Sequence, residues 1–114
     1  MQKKRISLLM PSQLKQDFKD LLKEEGVSPR KKSSYFESAL KKYMSKTDPE
    51  ILKSLERDGI SNYVNDSSDV YLITEDTSIA LDGLIYRLKH LDPLLEGVQS
   101  CLVRASLVNC LVNK

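Results

Sequence analysis

Positively charged side chains are concentrated at the start of the chain, and their chemistry is the most readily assigned in the sequence. Residues 1–46 carry 12 Lys/Arg against 5 Asp/Glu (12 − 5 = +7), whereas residues 47–114 carry 6 against 11 (6 − 11 = −5). The formal net charge of +2 conceals this division. Clustered Lys and Arg attract a polyanion, and an acidic half favours a structural or protein-contacting role. We therefore expect an anionic partner at the first half.

The sequence offers little for catalysis or metal binding. His90 is the single histidine, and Cys101 and Cys110 are the two cysteines, with no Cys/His cluster around them. General acid–base work needs a positioned partner, and a metal site needs several ligands at suitable spacing. No nucleophile elbow or phosphate-cradling glycine loop is recognisable. The sequence therefore predicts no enzyme, no catalytic residue, no metal and no cofactor.

A short strand must position the first cluster of basic residues. Over residues 4–10, Ile6, Leu8 and Met10 fall on one side of an extended chain, and Arg5, Ser7 and Leu9 fall on the other. Pro11 cannot donate to a sheet ladder but suits the start of a helix. The strand is therefore predicted to stop there.

Two helices are predicted after the strand. The first covers residues 12–25 and ends at Gly26, and the second is expected to be capped by Ser33 or Ser34. Between them lies a turn that contains Pro29 and three consecutive basic residues. The apolar positions of the two helices are Leu14, Phe18, Leu21, Leu22, Phe36, Ala39, Leu40, Tyr43 and Met44.

A single strand leaves its backbone N–H and C=O groups without partners, so something must pair with it. We expect the same strand from a second copy of the chain, which gives a two-stranded antiparallel ribbon. Such a ribbon fits the major groove of B-DNA. The alternative is an edge strand in an α+β fold that pairs with residues 70–73.

The order of strand, Pro, helix, Gly turn and Ser-capped helix resembles the ribbon-helix-helix DNA-binding family. The likeness covers residues 3–46 and is carried by residues 4–11, Leu14, Phe18, Leu21, Gly26 and residues 33–43. It implies a mainly α fold with an N-terminal ribbon-helix-helix domain, one strand and two helices per chain, as an intertwined homodimer. The implied dimer core is Ile6, Leu8, Met10, Leu14, Phe18, Phe36 and Leu40.

The resemblance also implies roles at the DNA. Arg5, Ser7 and Leu9 resemble the residues that read bases, and a register using Lys3, Arg5 and Ser7 is the alternative because Leu9 is apolar. Ser33 and Ser34 resemble the phosphate clamp at the second helix, although the turn before them is longer than the family's. Phosphate contacts are expected from Lys3, Lys4, Arg30, Lys31, Lys32, Ser33 and Ser34.

The second half of the chain is predicted to be largely helical. A short helix from Asp48 to near Gly59 and a polar linker over residues 61–69 separate residues 1–46 from a helical hairpin within residues 70–114. Residues 70–73 are strand-like but too short to assign, and the two hairpin helices are predicted over residues 77–91 and from Pro93 to about 112. No internal repeat stands out in the sequence. The residues expected to oligomerise are Leu81, Leu84, Leu88, Val98, Leu102 and Val108.

These patterns lead to one main functional hypothesis. A cytoplasmic homodimer, or a tetramer joined through the C-terminal helices, binds double-stranded DNA as a bacterial, plasmid or phage repressor or plasmid maintenance factor. A two-fold protein predicts a two-fold DNA site. The alternatives are an accessory DNA-binding protein of a conjugative relaxosome, and an antitoxin or adaptor whose acidic C-terminal half binds a protein. No membrane association is expected.

Overall fold

The computed structural model describes residues 3–57, 66–95 and 97–112. Within them lie five α-helices and a two-stranded sheet. The elements in chain order are β1 (Lys3–Met10), α1 (Ser12–Glu24), a 3₁₀ turn (Pro29–Lys31), α2 (Lys32–Met44), α3 (Asp48–Arg57), β2 (Ser67–Thr74), α4 (Glu75–Leu91) and α5 (Val98–Val112). The mainly helical composition that the sequence predicts is confirmed.

The two strands form an antiparallel ribbon within one chain. The register runs from Lys3 opposite Thr74 to Met10 opposite Ser67. This corrects the expectation that β1 pairs with a second copy of itself. Intramolecular pairing satisfies the ladder without the entropy loss of bringing two chains together. Residues 70–73, the partner in the alternative interpretation, do pair with β1. The partner strand is longer than predicted, however, and the sheet contains no third strand among the described residues.

Strand, helix and helix follow one another twice along the chain. After β1 comes α1, which begins at Ser12, and after β2 comes α4, which begins at Glu75, 63 residues later (75 − 12). The same interval relates Phe18 of α1 to Leu81 of α4, and both are buried. The order of elements therefore repeats in the structure, although no repeat stands out in the sequence. The residue types differ, and only the positions of burial recur.

We call β1, α1 and α2 the first half of the structure and β2, α4 and α5 the second half. The second helices of these halves are related in the same way. Helices α2 and α5 begin at Lys32 and Val98, 66 residues apart (98 − 32), and this interval relates the buried Phe36 to the buried Leu102. The two helices pack against each other beneath the ribbon. Each also contacts the strand of the other half, α2 contacting β2 and α5 contacting β1. The halves are consequently intertwined and share one core.

The ribbon register agrees with an approximate two-fold relation between the halves. Ser7 lies directly opposite Val70, and these residues are separated by the same 63 positions (70 − 7) that relate α1 to α4. A residue that faces its own structural equivalent lies at the centre of a two-fold arrangement. The relation is therefore centred on the Ser7–Val70 pair.

The core is built from both halves of the single chain. Ile6, Leu8, Met10, Phe18, Phe36 and Leu40, predicted as a dimer core, are buried, and Leu14 is partly buried against them. Tyr71 of β2 fills the centre, with its ring stacked on Phe36 at a centroid separation of 4.1 Å. One chain therefore supplies the apolar contacts that the sequence assigns to two.

Five of the six residues expected to oligomerise are buried inside this core. Leu81, Leu84, Leu88, Val98 and Leu102 are each at most 3 % exposed, and Val108 is half-buried. This corrects the assignment of the five buried residues to a contact between chains, whereas the role predicted for Val108 stays a prediction. Helix α5 is buried at every position from Leu102 to Leu107, as expected for a helix packed on all sides.

Several element boundaries differ from the sequence predictions. Helix α5 begins at Val98 rather than after Pro93, because Asp92 Oδ1 accepts a hydrogen bond from Leu94 N at 3.1 Å and Gly97 adopts a φ of +58°. Helix α2 begins at Lys32, so Ser33 and Ser34 lie in its first turn instead of capping it. The predicted helix end near Gly59 lies outside the described residues, as does most of the predicted linker. The last three residues of that linker, 67–69, belong to β2.

Candidate nucleic-acid interface

The face of the ribbon turned away from the helices is solvent-exposed. From β1 it presents Lys3, Arg5, Ser7 and Leu9, and the alternate residues Ile6, Leu8 and Met10 are buried beneath. From β2 it presents Ser68, Val70 and Leu72. Opposite one another across the ribbon stand Arg5 and Leu72, Ser7 and Val70, and Leu9 and Ser68.

Three of these exposed side chains are large and apolar. Leu9 is 59 % exposed, Leu72 43 % and Val70 37 %, although a strand that merely covers a core normally turns polar residues to water. An apolar side chain reaching outward can contact a thymine methyl group, and the neighbouring Arg5 can bond guanine through two donors. The surface therefore combines hydrogen-bonding and apolar groups at strand spacing.

Helices of both halves fix the outer edges of the ribbon. The Ser33 hydroxyl, in the first turn of α2, accepts a hydrogen bond from Leu72 N at 3.0 Å. On the other edge, Arg104 of α5 donates from Nη1 to Leu9 O at 3.0 Å. Backbone atoms of two outward-facing residues are thus held from opposite sides. This support gives the exposed side chains a rigid base, which precise recognition requires.

The predicted phosphate-binding turn lies beside the β2 edge. Arg30 and Lys31 are exposed in the 3₁₀ turn that leads into α2. Lys32 is different, because its Nζ pairs with Asp69 Oδ1 at 2.7 Å and lies over the Tyr71 ring at 5.1 Å from the centroid. The positive charge of Lys32 is therefore largely neutralised by Asp69 within the fold. Arg30 and Lys31 are therefore the better placed of the three for a phosphate.

Asp69 is held in its charged form by these contacts. Burial works against ionisation, but the hydrogen bond from Lys32, the bond from the backbone N–H of Val70 and the Lys32 charge together lower the pKa of the Asp69 carboxyl. Burial, with the Asp69 charge close by, raises the pKa of the Tyr71 hydroxyl. The pair of Lys32 and Asp69 therefore connects α2 to the ribbon at neutral pH.

A second polar cluster joins α2 to the start of α4. Glu37 accepts hydrogen bonds from Thr74 N at 2.9 Å, from the Thr74 hydroxyl at 2.8 Å and from the Thr77 hydroxyl at 2.7 Å. Burial opposes ionisation of Glu37, yet these bonds and the nearby Lys41 lower the pKa of its carboxyl. The cluster fixes the end of β2 relative to α2.

The first turn of α2 lies beside the ribbon and carries the two serines predicted to bind a phosphate. Ser34 is exposed there, and the dipole of a helix N-terminus favours negative charge, although the backbone N–H of Lys32 already donates to Pro29 O in the preceding 3₁₀ turn. The hydrogen bond between Ser33 and Leu72 places this turn next to the ribbon. Ser33 itself is partly committed, because its hydroxyl oxygen accepts from the strand.

The structure brings most of the predicted DNA-contacting residues to one region, with differences in detail. Lys3, Arg5, Ser7 and Leu9 share the outward face, whereas Lys4 is exposed at the ribbon end on the side of Ile6. The outward residues of β2 were missed by the sequence interpretation. The signal for them is the alternation of Val70 and Leu72 with Tyr71 and Ile73, followed by a helix with apolar residues at the spacing of α1.

The described residues hold no other arrangement that indicates chemistry. No group of three His, Cys, Asp or Glu side chains is placed to hold a metal ion among them. His90 stacks on Tyr86 at the surface, with ring centroids 5.9 Å apart. In the part of the chain that is described, no helix has the length and apolar character to cross a bilayer.

Comparison of the chain with protein-family profiles, curated proteins and solved structures found no match.

Proposed function

We propose that this protein binds double-stranded DNA by inserting the β1–β2 ribbon into the major groove. The observation that carries the proposal is the ribbon itself: two antiparallel strands, buried on one face by α-helices and presenting Arg5, Ser7 and Leu9 on the other. The major groove is wide enough for a two-stranded ribbon, and base edges there distinguish all four base pairs.

The charge distribution around the ribbon supports this proposal. Lys3, Lys4 and Arg5 are exposed on β1, and Arg30 and Lys31 are exposed at the turn beside the β2 edge. Lys and Arg side chains that neutralise phosphates supply most of the affinity for DNA irrespective of its sequence. Base contacts from the ribbon face then specify the site.

As the biological role we propose a repressor or a plasmid maintenance factor that occupies a short operator. An accessory protein of a conjugative relaxosome would use the same interface, since it also binds a defined DNA site. The antitoxin or adaptor alternative requires a surface for a protein partner. The exposed Ile79 and Tyr86 of α4, at 64 % and 71 % exposure, are among the apolar residues of the acidic half that such a partner would contact.

The direct test is the affinity of the Arg5→Ala variant for DNA. Duplexes selected from a random library with the unaltered protein supply the specific site, and fluorescence anisotropy gives the affinity. Loss of a bidentate interaction with guanine should cost about 1–3 kcal/mol on that site and little on random DNA.

The matched control is Lys19→Ala, which removes one positive charge from an exposed position on α1, outside the two strands of the ribbon. It should weaken binding to both duplexes equally and slightly. Equal losses on both duplexes for Arg5→Ala would remove Arg5 from base recognition, and failure of the unaltered protein to bind any duplex at low salt would refute the proposed function.

A further inference from the structure

The two halves of the ribbon present different side chains at equivalent positions. The interval of 63 residues that relates the halves makes Arg5 equivalent to Ser68 (68 − 5), Ser7 to Val70 (70 − 7) and Leu9 to Leu72 (72 − 9). Only the last pair is identical. All of these side chains belong to the outward face of the ribbon.

Because the equivalent side chains differ, the two halves of a bound DNA site would contact different side chains of the ribbon. In an antiparallel ribbon, Arg5 stands beside Leu72 on one side of the central Ser7–Val70 pair, and Leu9 stands beside Ser68 on the other. A strong bidentate donor is therefore available to one half-site alone. The other half-site meets a leucine and a hydroxyl.

The helices beside the two edges of the ribbon also differ in charge. The β2 edge adjoins the first turn of α2 and its exposed Arg30 and Lys31, as shown by the bond from Leu72 N to Ser33 Oγ. The β1 edge is held by Arg104, which is buried and bonded to Leu9 O, and the first residues of α5 include no Lys or Arg. Positive charge is therefore unequal on the two flanks.

We propose that a single chain recognises an asymmetric DNA site, with a guanine in the half that meets Arg5 and thymine methyl groups facing Leu9, Val70 and Leu72. This rests on the proposed function and deepens it, because it replaces the palindromic site of a two-fold dimer by a site read by two unlike halves of one chain. A symmetric operator would leave one guanine without its arginine.

The sharpest test uses Ser68→Arg, which places an arginine at the position equivalent to Arg5. Ser68 is exposed, so the change alters the ribbon face without disturbing the core. Sites are selected from a random duplex library with the unaltered protein and with the variant, and native mass spectrometry gives the number of chains on each selected duplex. Ser38→Arg, which adds the same charge at an exposed position of α2, is the matched control.

We expect the unaltered protein to select a non-palindromic site and to bind it as one chain per duplex. Ser68→Arg should select a second guanine in the opposite half-site, which makes the consensus more nearly palindromic. It should bind that symmetrised duplex about 5- to 150-fold more tightly than the unaltered protein does, the range for one bidentate pair. Ser38→Arg should leave the selected sequence unchanged.

Two failures are distinguishable. Selection of a palindrome bound by two chains, or an unchanged consensus for Ser68→Arg, would overturn the asymmetric site while leaving DNA binding intact. Absence of binding to every duplex at low salt would overturn the proposed function, and the asymmetric site with it.

Discussion

At the scale of single residues, polar groups buried between the two halves hold the molecule in register. Glu37 accepts bonds from Thr74 and Thr77, and Arg104 donates to the backbone of Leu9. Each of these interactions joins a helix of one half to an element of the other. Removing one partner of a buried polar pair leaves the other unsatisfied, which costs more than the bond itself contributes.

Glu37→Gln tests this role. The folded state lowers the pKa of Glu37, so its stabilising contribution is present at neutral pH and is lost as the pH falls below about 4.3, the ordinary value for Glu, through the folded-state pKa. The variant should lose about 1–3 kcal/mol of unfolding free energy at pH 7, and its stability should depend less on pH in the acid range.

Urea unfolding at a series of pH values measures both effects. Asp82→Asn, which removes a negative charge from an exposed position on α4, should leave the unfolding free energy within about 0.5 kcal/mol. If Glu37→Gln behaves like Asp82→Asn, the hydrogen bonds around Glu37 contribute nothing to the fold.

At the scale of elements, the ribbon has one buried face and one exposed face. Neighbouring residues of β1 belong to different faces, as Leu8 is 2 % exposed and Leu9 59 % exposed. The same residue type therefore serves the core at one position and faces solvent at the next. This offers a matched pair of substitutions within a single strand.

Leu8→Ala and Leu9→Ala should separate stability from DNA binding. Truncating the buried leucine should lower the unfolding free energy by about 2–5 kcal/mol because it opens a cavity. Truncating the exposed one should change stability by less than about 0.5 kcal/mol and weaken binding to the selected site. Chemical unfolding and fluorescence anisotropy measure the two quantities, and an undiminished affinity for Leu9→Ala would exclude Leu9 from the interface.

The individual elements of the first half were predictable from the sequence, but the choice between the two possible pairing partners of β1 was not. The alternation around Leu8, the helical spacing of Phe18 and Leu21 and the turn at Gly26 are local signals, and β1 and α1 lie where they predict. The partner strand begins with residues 67–69, which are polar, so its first part reads as linker. Strand pairing depends on residues distant in sequence. A local pattern therefore does not indicate whether the partner strand of β1 comes from the same chain or from a second copy.

The candidate interface was predictable to a similar extent. The outward position of Arg5, Ser7 and Leu9 follows from the two-residue period of a strand, and the structure agrees with it. The commitment of Lys32 to Asp69 is invisible in the sequence, because it depends on where β2 lies. The outward residues of β2 leave only the short run from Val70 to Ile73 as a signal, and that apolar run by itself does not show which of its two faces is exposed.

At the scale of the whole molecule, the basic and acidic parts of the sequence fold into one body instead of standing apart. The acidic half supplies β2, α4 and α5, which complete the ribbon and its core. Exposed positive charge beside the ribbon is left mainly on the first half, at β1 and at the turn before α2. Affinity for DNA should therefore depend on salt through these few residues.

Changing Arg30 and Lys31 together to Ala should flatten the dependence of affinity on salt. The slope of log affinity against log salt becomes shallower by about 0.9 for every phosphate that the protein no longer neutralises, so the double change should reduce it by about two units. Titrations by anisotropy at several salt concentrations give the slope. The matched double variant at exposed Lys19 and Lys23 of α1 should change it less, and equal slopes for the two variants would make Arg30 and Lys31 bystanders.

Carrying both strands on one polypeptide also removes a step that two-subunit groove readers must complete before they can bind. Their reading surface disappears as the protein is diluted, because assembly depends on the square of concentration. Here the β1–β2 ladder closes within the chain, so the surface persists at any dilution. Under the proposed function, occupancy of a DNA target should consequently rise in simple proportion to protein concentration when the protein is scarce, without the lag that obligatory assembly imposes.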